Sequence, residues 1–104
     1  MTHGGGGEEP TADGVELLAL RAEIERVDEA IVFLIDQRMR LARRVGELKR
    51  SAGLAVLDSG REAAVVDRAG ALARDRGLDG DAVRDVFWRL IEMARGAQSQ
   101  SRGD

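Results

Sequence analysis

From Gly14 to Ser51 the chain runs thirty-eight residues without a proline, with an apolar residue at almost every third or fourth position. Leu17, Leu20, Ile24, Val27, Ile31, Leu34, Leu41, Val45 and Leu48 follow in steps of three, four, three, four, three, seven, four and three. This heptad-like stripe predicts a single helix from about 14 to 51. At 1.5 Å per residue such a helix spans roughly 57 Å. A compact monomer of this size has a radius of gyration near 13 Å, hence a diameter of about 35 Å. A straight helix of that length outruns its own domain while its stripe continues. The least costly cover is a second copy of the chain, so the sequence predicts an all-α homodimer.

Local signals divide the rest. Asp13-Gly14-Val15-Glu16 has the spacing of a capping box at the start of the long helix, and Gly53 is placed to end it. A second helix is predicted over 60–76, with Val65, Val66, Ala69, Leu72 and Ala73 on one face and Ser59…Glu62 as a second capping box. Gly77-Leu78 reads as a Schellman stop. A third helix is predicted over about 80–98, capped by Asp79 or Asp81, with Val83, Val86, Phe87, Leu90, Ile91 and Ala94 on one face. No segment alternates as a strand would. Residues 1–12, with four consecutive glycines and the only proline, read as a disordered tail, as do residues 99–104. A helical domain over 13–98 remains.

Composition removes whole classes of chemistry. With no cysteine there is no disulfide scaffold, no thiolate metal site and no thiol nucleophile. The only histidine, His3, lies in the glycine-rich tail, which excludes histidine metal sites and a Ser–His–Asp triad. No metal and no cofactor are expected. The net charge of −3 argues against nucleic acid as a main partner. No apolar run is long enough for a membrane span, and the start lacks the basic-then-apolar pattern of a signal peptide. A cytoplasmic protein without a membrane partner is the expectation.

Polar residues then appear where the pattern asks for apolar ones. Arg38 fills the seam position skipped between Leu34 and Leu41. Lys49 follows eleven residues later, about 20° from the same face at 100° per residue. Glu62 edges the apolar face of the second helix, and Gln98 continues that of the third. Two or three cations, a carboxylate and an amide converging in an apolar bundle suit an anionic ligand with carboxylate groups, which guanidinium forks match. Each residue also has a plain structural reading. Arg38 would snorkel or pair with Glu62, Lys49 would answer the helix dipole, Glu62 would close its capping box, and Gln98 would fray beside Gly96. The cluster Arg38, Arg40, Arg43, Arg44, Lys49 and Arg50 would be a solvated face, with nucleic acid as the other reading.

These residues resemble a known family. Leu17-Leu18-Ala19-Leu20-Arg21-x-x-Ile24, Asp28, Arg38 with Leu41-Ala42, Val45-Gly46 and Lys49 look like the first helix of the all-helical, type II chorismate mutases. Val56-Leu57-Asp58-x-x-Arg61-Glu62 is similar to that family's loop and second-helix opening. Gly77-Leu78-Asp79, Phe87, Ile91-Glu92 and Gln98 are similar to its third helix. The resemblance covers roughly 15–98.

The resemblance implies an intertwined dimer of three-helix protomers with two equivalent sites, converting chorismate to prephenate in aromatic amino acid biosynthesis. By position, Arg38 and the partner chain's Arg21 would bind the two substrate carboxylates, and Arg61 would add positive charge. Lys49 and Gln98 would hydrogen-bond the ether oxygen. Glu62 and the backbone N–H of Asp58 would hold the hydroxyl at ring carbon C4. The reaction is unimolecular and needs no nucleophile, metal or proton relay, in keeping with the composition. Many family members carry serine where this chain has Ala94. Relatives of the fold act on 4-amino-4-deoxychorismate or isochorismate, which remain alternative substrates. A non-catalytic helical interaction or regulatory module is the alternative outside enzymes. With Gly60, Gly70 and Gly77 in or beside helices, ordinary stability is expected.

Overall fold

The computed structural model describes residues 11–100, and side chains as far as Gln98. They form three helices and no strand among the described residues: α1 (Ala12–Ser51), α2 (Ser59–Asp75) and α3 (Gly80–Gln100). The fold is all-α, as the periodicity requires. Helix α1 begins two residues earlier than expected, at Ala12, and α3 runs two residues into the stretch read as a C-terminal tail. The rest of the two tail assignments, residues 1–10 and 101–104, lies outside the described residues.

The helix stops follow the glycines. Gly53 and Gly77 have φ of 73° and 75°, the left-handed region where a side chain is unfavourable. Gly53 N–H donates to Arg50 O at 3.1 Å and Leu54 N–H to Lys49 O at 2.7 Å. Gly77 N–H donates to Arg74 O at 3.0 Å and Leu78 N–H to Ala73 O at 2.9 Å. Both are Schellman motifs, which satisfy carbonyls that a helix end leaves over.

The starts differ from expectation at two of three helices. Thr11, not Asp13, caps α1: its Oγ1 accepts from Gly14 N–H at 2.9 Å. Asp58, not Ser59, caps α2, with extended backbone at φ −141° and Oδ1 accepting from Arg61 N–H at 3.0 Å. The Ser59…Glu62 box therefore does not form, because Ser59 already lies inside the helix. Asp79 caps α3, accepting from Ala82 N–H at 3.1 Å, and Asp81 falls in the first turn. Each start offers two oxygen-bearing side chains within three residues, and the one further upstream closes the turn.

Two compact units meet after Leu34. In the first, α1 residues 12–34 carry almost wholly exposed side chains. The second holds the rest of α1 with α2 and α3. Its core is small: Val66, Ala69 and Ala73 from α2, Ile91 and Ala97 from α3, and Gly46 from α1. The residues α2 buries are small, Ala69, Gly70 and Ala73 among them, and a β-carbon on Gly80 would lie 3.1 Å from Gly70 O, so the start of α3 lies close against α2. An Arg84–Asp67 ion pair ties α3 to α2 at its edge. All nine apolar residues of the α1 stripe are 45–66% exposed within one chain. No described helix is long and apolar enough to cross a membrane.

Candidate active site

A partly open cleft of about 170 Å³ lies in the second unit, where all three helices and the α1–α2 loop contribute. Its walls include Ala42 and Val45 of α1, Val56 of the loop, Val65 of α2, and Ile91 and Ala94 of α3. Its polar lining is Arg38, Lys49, Asp58, Arg61, Glu62, Arg95 and Gln98. Four cations face two carboxylates, a formal surplus of two positive charges.

Helix α1 supplies Arg38 and Lys49 from one face, as an eleven-residue separation dictates. Both are half-buried, so Arg38 sits neither in a closed core nor on the open exterior. Lys49 Nζ donates to Val56 O at 3.4 Å, which draws the lysine across to the loop before α2. That loop is held by the Gly53 stop on one side and the Asp58 cap on the other.

Helix α2 opens directly into the cleft. Asp58 and Arg61 are paired through the cap itself, Asp58 Oδ1 with Arg61 N–H. Glu62, one residue later, keeps its side chain 15% exposed. Its partner is neither Ser59 nor Arg38. Arg95 of α3 grips it with two bonds, Nε to Oε2 at 3.0 Å and Nη2 to Oε1 at 2.5 Å. This hydrogen-bonded guanidinium holds the Glu62 carboxyl below the ordinary carboxylate range, outweighing the opposing effects of partial burial and nearby Asp58. The same contacts raise Arg95.

Helix α3 brings Gln98. Its Nε2 donates to Ala42 O at 3.1 Å, and its backbone carbonyl accepts from Arg50 Nη1 at 3.2 Å. Gln98 is thus anchored on α1 at both ends and is not a frayed terminal residue. Four members of the basic run on α1 have distinct places. Arg38 and Lys49 enter the cleft, Arg50 secures α3, and Arg40 pairs with Asp36 at 3.0 Å on the surface.

Arg21 is exposed on α1 in the first unit. Arg95 escaped sequence reasoning. It stands four residues after Ile91 and three before Gln98, so helical spacing alone would have put it on their shared face. Its pairing with Glu62 leaves no such trace. Among the described residues no three His, Cys, Asp or Glu side chains are grouped to hold a metal ion. The arrangement suits a small anion with more than one carboxylate. The cleft lining combines four cations, an amide donor and two carboxylates with apolar side chains.

The sequence matches the family described as chorismate mutase type II over residues 20–99. It is 32% identical to a chorismate mutase of Methanocaldococcus jannaschii, across 82% of this chain and 86% of that protein. It is 33% identical to a 4-amino-4-deoxychorismate mutase of Streptomyces venezuelae, across 77% of this chain and 79% of the relative. A 3-dehydroquinate dehydratase of Pyrobaculum aerophilum is 42% identical across 85% of this chain, which spans only 26% of that protein.

Proposed function

The chain belongs to the type II chorismate mutase family, a family of isomerases, and on that premise we propose that it converts chorismate to prephenate by an intramolecular Claisen rearrangement. The observation that carries this reading is the convergence of Arg38, Lys49, Glu62 and Gln98 on one cleft with two surplus positive charges. Chorismate is a dicarboxylate, so its charge is of the sign that such a cleft attracts.

The chemistry asks for two things. The first is selection of a chair-like conformer in which the bond-forming carbons are close, which converts binding energy into orientation. Arg38 would hold one carboxylate, and Arg61 would add to the field. The second is stabilisation of negative charge on the ether oxygen as its bond to carbon breaks. Lys49 and Gln98 are the donors suited to this, and both are held by hydrogen bonds to backbone carbonyls, at Val56 O and Ala42 O. A donor already in place needs no reorganisation when charge develops, which is why such groups raise the rate. Glu62 and the backbone N–H of Asp58 would position the C4 hydroxyl.

The quaternary part of the proposal is a homodimer in which Arg21 reaches the partner's cleft and binds the second carboxylate. Its support is the uncovered stripe from Leu17 to Leu48, nine apolar residues at coiled-coil spacing. An identical stripe on a second copy is its natural complement.

A second reading, rearrangement of 4-amino-4-deoxychorismate, is favoured by the Streptomyces relative. The deciding experiment follows the loss of chorismate absorbance with purified protein and identifies the product. Prephenate formation is the expected result. Absence of any turnover of chorismate overturns the reading.

A further inference from the structure

Resting on the chorismate mutase reading, we propose that Arg95 is a specificity-determining residue. By engaging both oxygens of Glu62, it makes the cleft accept a ring with a neutral hydroxyl at C4 and disfavour one with an ammonium there.

The geometry is a two-pronged contact between helices. Arg95 Nε meets Glu62 Oε2 at 3.0 Å and Nη2 meets Oε1 at 2.5 Å. Both residues line the cleft. An ionised carboxylate offers about four acceptor positions, two on each oxygen. The fork takes one from each and leaves the others to accept a hydrogen bond from a substrate. A hydroxyl asks for no more than that. An ammonium also needs a counter-charge, and Arg95 has already claimed it.

The charge count points the same way. Arg38, Lys49, Arg61 and Arg95 stand against Asp58 and Glu62, a surplus of two. The partner chain's Arg21, if it enters as proposed, raises the surplus to three, and a substrate with two carboxylates and a hydroxyl answers a positive cleft better than one that also carries an ammonium. Replacing the hydroxyl by an ammonium adds one positive charge to the ligand and sets a cation beside the Arg95 guanidinium. Like charges at that range repel, more so where water is thinned.

The test compares the full chain with Arg95→Gln and Arg95→Lys, measuring kcat/KM for chorismate and for 4-amino-4-deoxychorismate side by side. Thermal melts check that each variant is folded. Wild type is expected to prefer chorismate by at least about tenfold, the factor that about 1.4 kcal/mol supplies. Arg95→Gln is expected to shrink that preference about tenfold or reverse it, and Arg95→Lys to fall between wild type and Arg95→Gln, because the charge remains while the two-pronged contact is lost. A merely structural role for Arg95 would lower both specificity constants together and leave their ratio alone. A ratio unchanged within about twofold in Arg95→Gln, with chorismate still turned over, overturns the inference and spares the family activity. So does a wild-type preference for the amino compound. Turnover of neither compound by wild type overturns the activity itself, and this inference with it.

Discussion

A β-carbon placed on Gly46 of α1 would lie 3.1 Å from Cγ and 3.3 Å from Cβ of Gln98 on α3. The aliphatic stem of Gln98 therefore rests where another residue would have a side chain. From there its amide reaches Ala42 O, one turn back along α1. Gly46→Ala tests this packing. Alanine favours the helix by up to about 1 kcal/mol over glycine, while Gln98 has to shift by a few tenths of an ångström. The melting midpoint is expected to change little. The kcat/KM for chorismate is expected to fall at least about tenfold, since misplacing a catalytic group by 1 Å can cost about a hundredfold. Steady-state kinetics beside a thermal melt checks both, and undiminished activity would show that the placement of Gln98 does not matter.

Removal of the cations in the cleft separates chemistry from architecture. Arg38→Ala and Lys49→Ala are each expected to lower kcat/KM by at least about a hundredfold, the range for loss of a preorganised donor. Circular dichroism should show intact helices. Losses of tenfold or less would make these side chains structural.

The proposed homodimer has a stringent functional test. Arg21→Ala and Lys49→Ala chains are each expected to be inactive alone. After subunit exchange, half of the dimers would be mixed, and each would have one site with every residue intact. Activity should recover to about a quarter of wild type, given random pairing of equal chains. No recovery, or a folded monomer at micromolar concentration by sedimentation, would remove Arg21 from the site.

The Glu62–Arg95 pair ties stability to pH with a defined sign. Glu62 titrates lower in the folded protein than its ordinary value of about 4.3. The folded state thus gains from its ionised form above that value, and the gain disappears as pH falls through the depressed one. Urea midpoints of wild type and Arg95→Ala should differ at pH 7 and draw together on acidification. The difference should be small, because Arg95 is 48% exposed. A gap that widens toward low pH would contradict the assignment.

Gly77 provides a control remote from chemistry. Its φ is 75°, and nothing lies within 4 Å of where a β-carbon would stand, so any cost of a side chain comes from the backbone alone. Gly77→Ala is expected to destabilise by about 1–2 kcal/mol. For a domain of this size each kcal/mol lowers the melting midpoint by about 4–8 °C. Catalytic constants measured well below the transition should not move.

What could be read along the chain was local in origin. The three helices, and both stops at Gly53 and Gly77, follow from period and from the one residue type at ease at positive φ. Starts were less legible, because Thr11 competes with Asp13, and Asp58 with Ser59, for the same capping role. Any of the four side chains can accept from a backbone N–H, and which one does depends on where the turn closes.

That Arg38 and Lys49 lie on one face of a long helix was already written in their spacing, because a rotation of about 100° per residue settles it within a single element. That Glu62 answers Arg95, thirty-three residues away, and that Gln98 is seated over Gly46 came from the packing of one helix on another. Those meetings depend on how far each helix turns about its own axis when the small residues Ala69, Ala73 and Ala97 pack. That rotation comes from contacts between helices, and no period along one of them contains it.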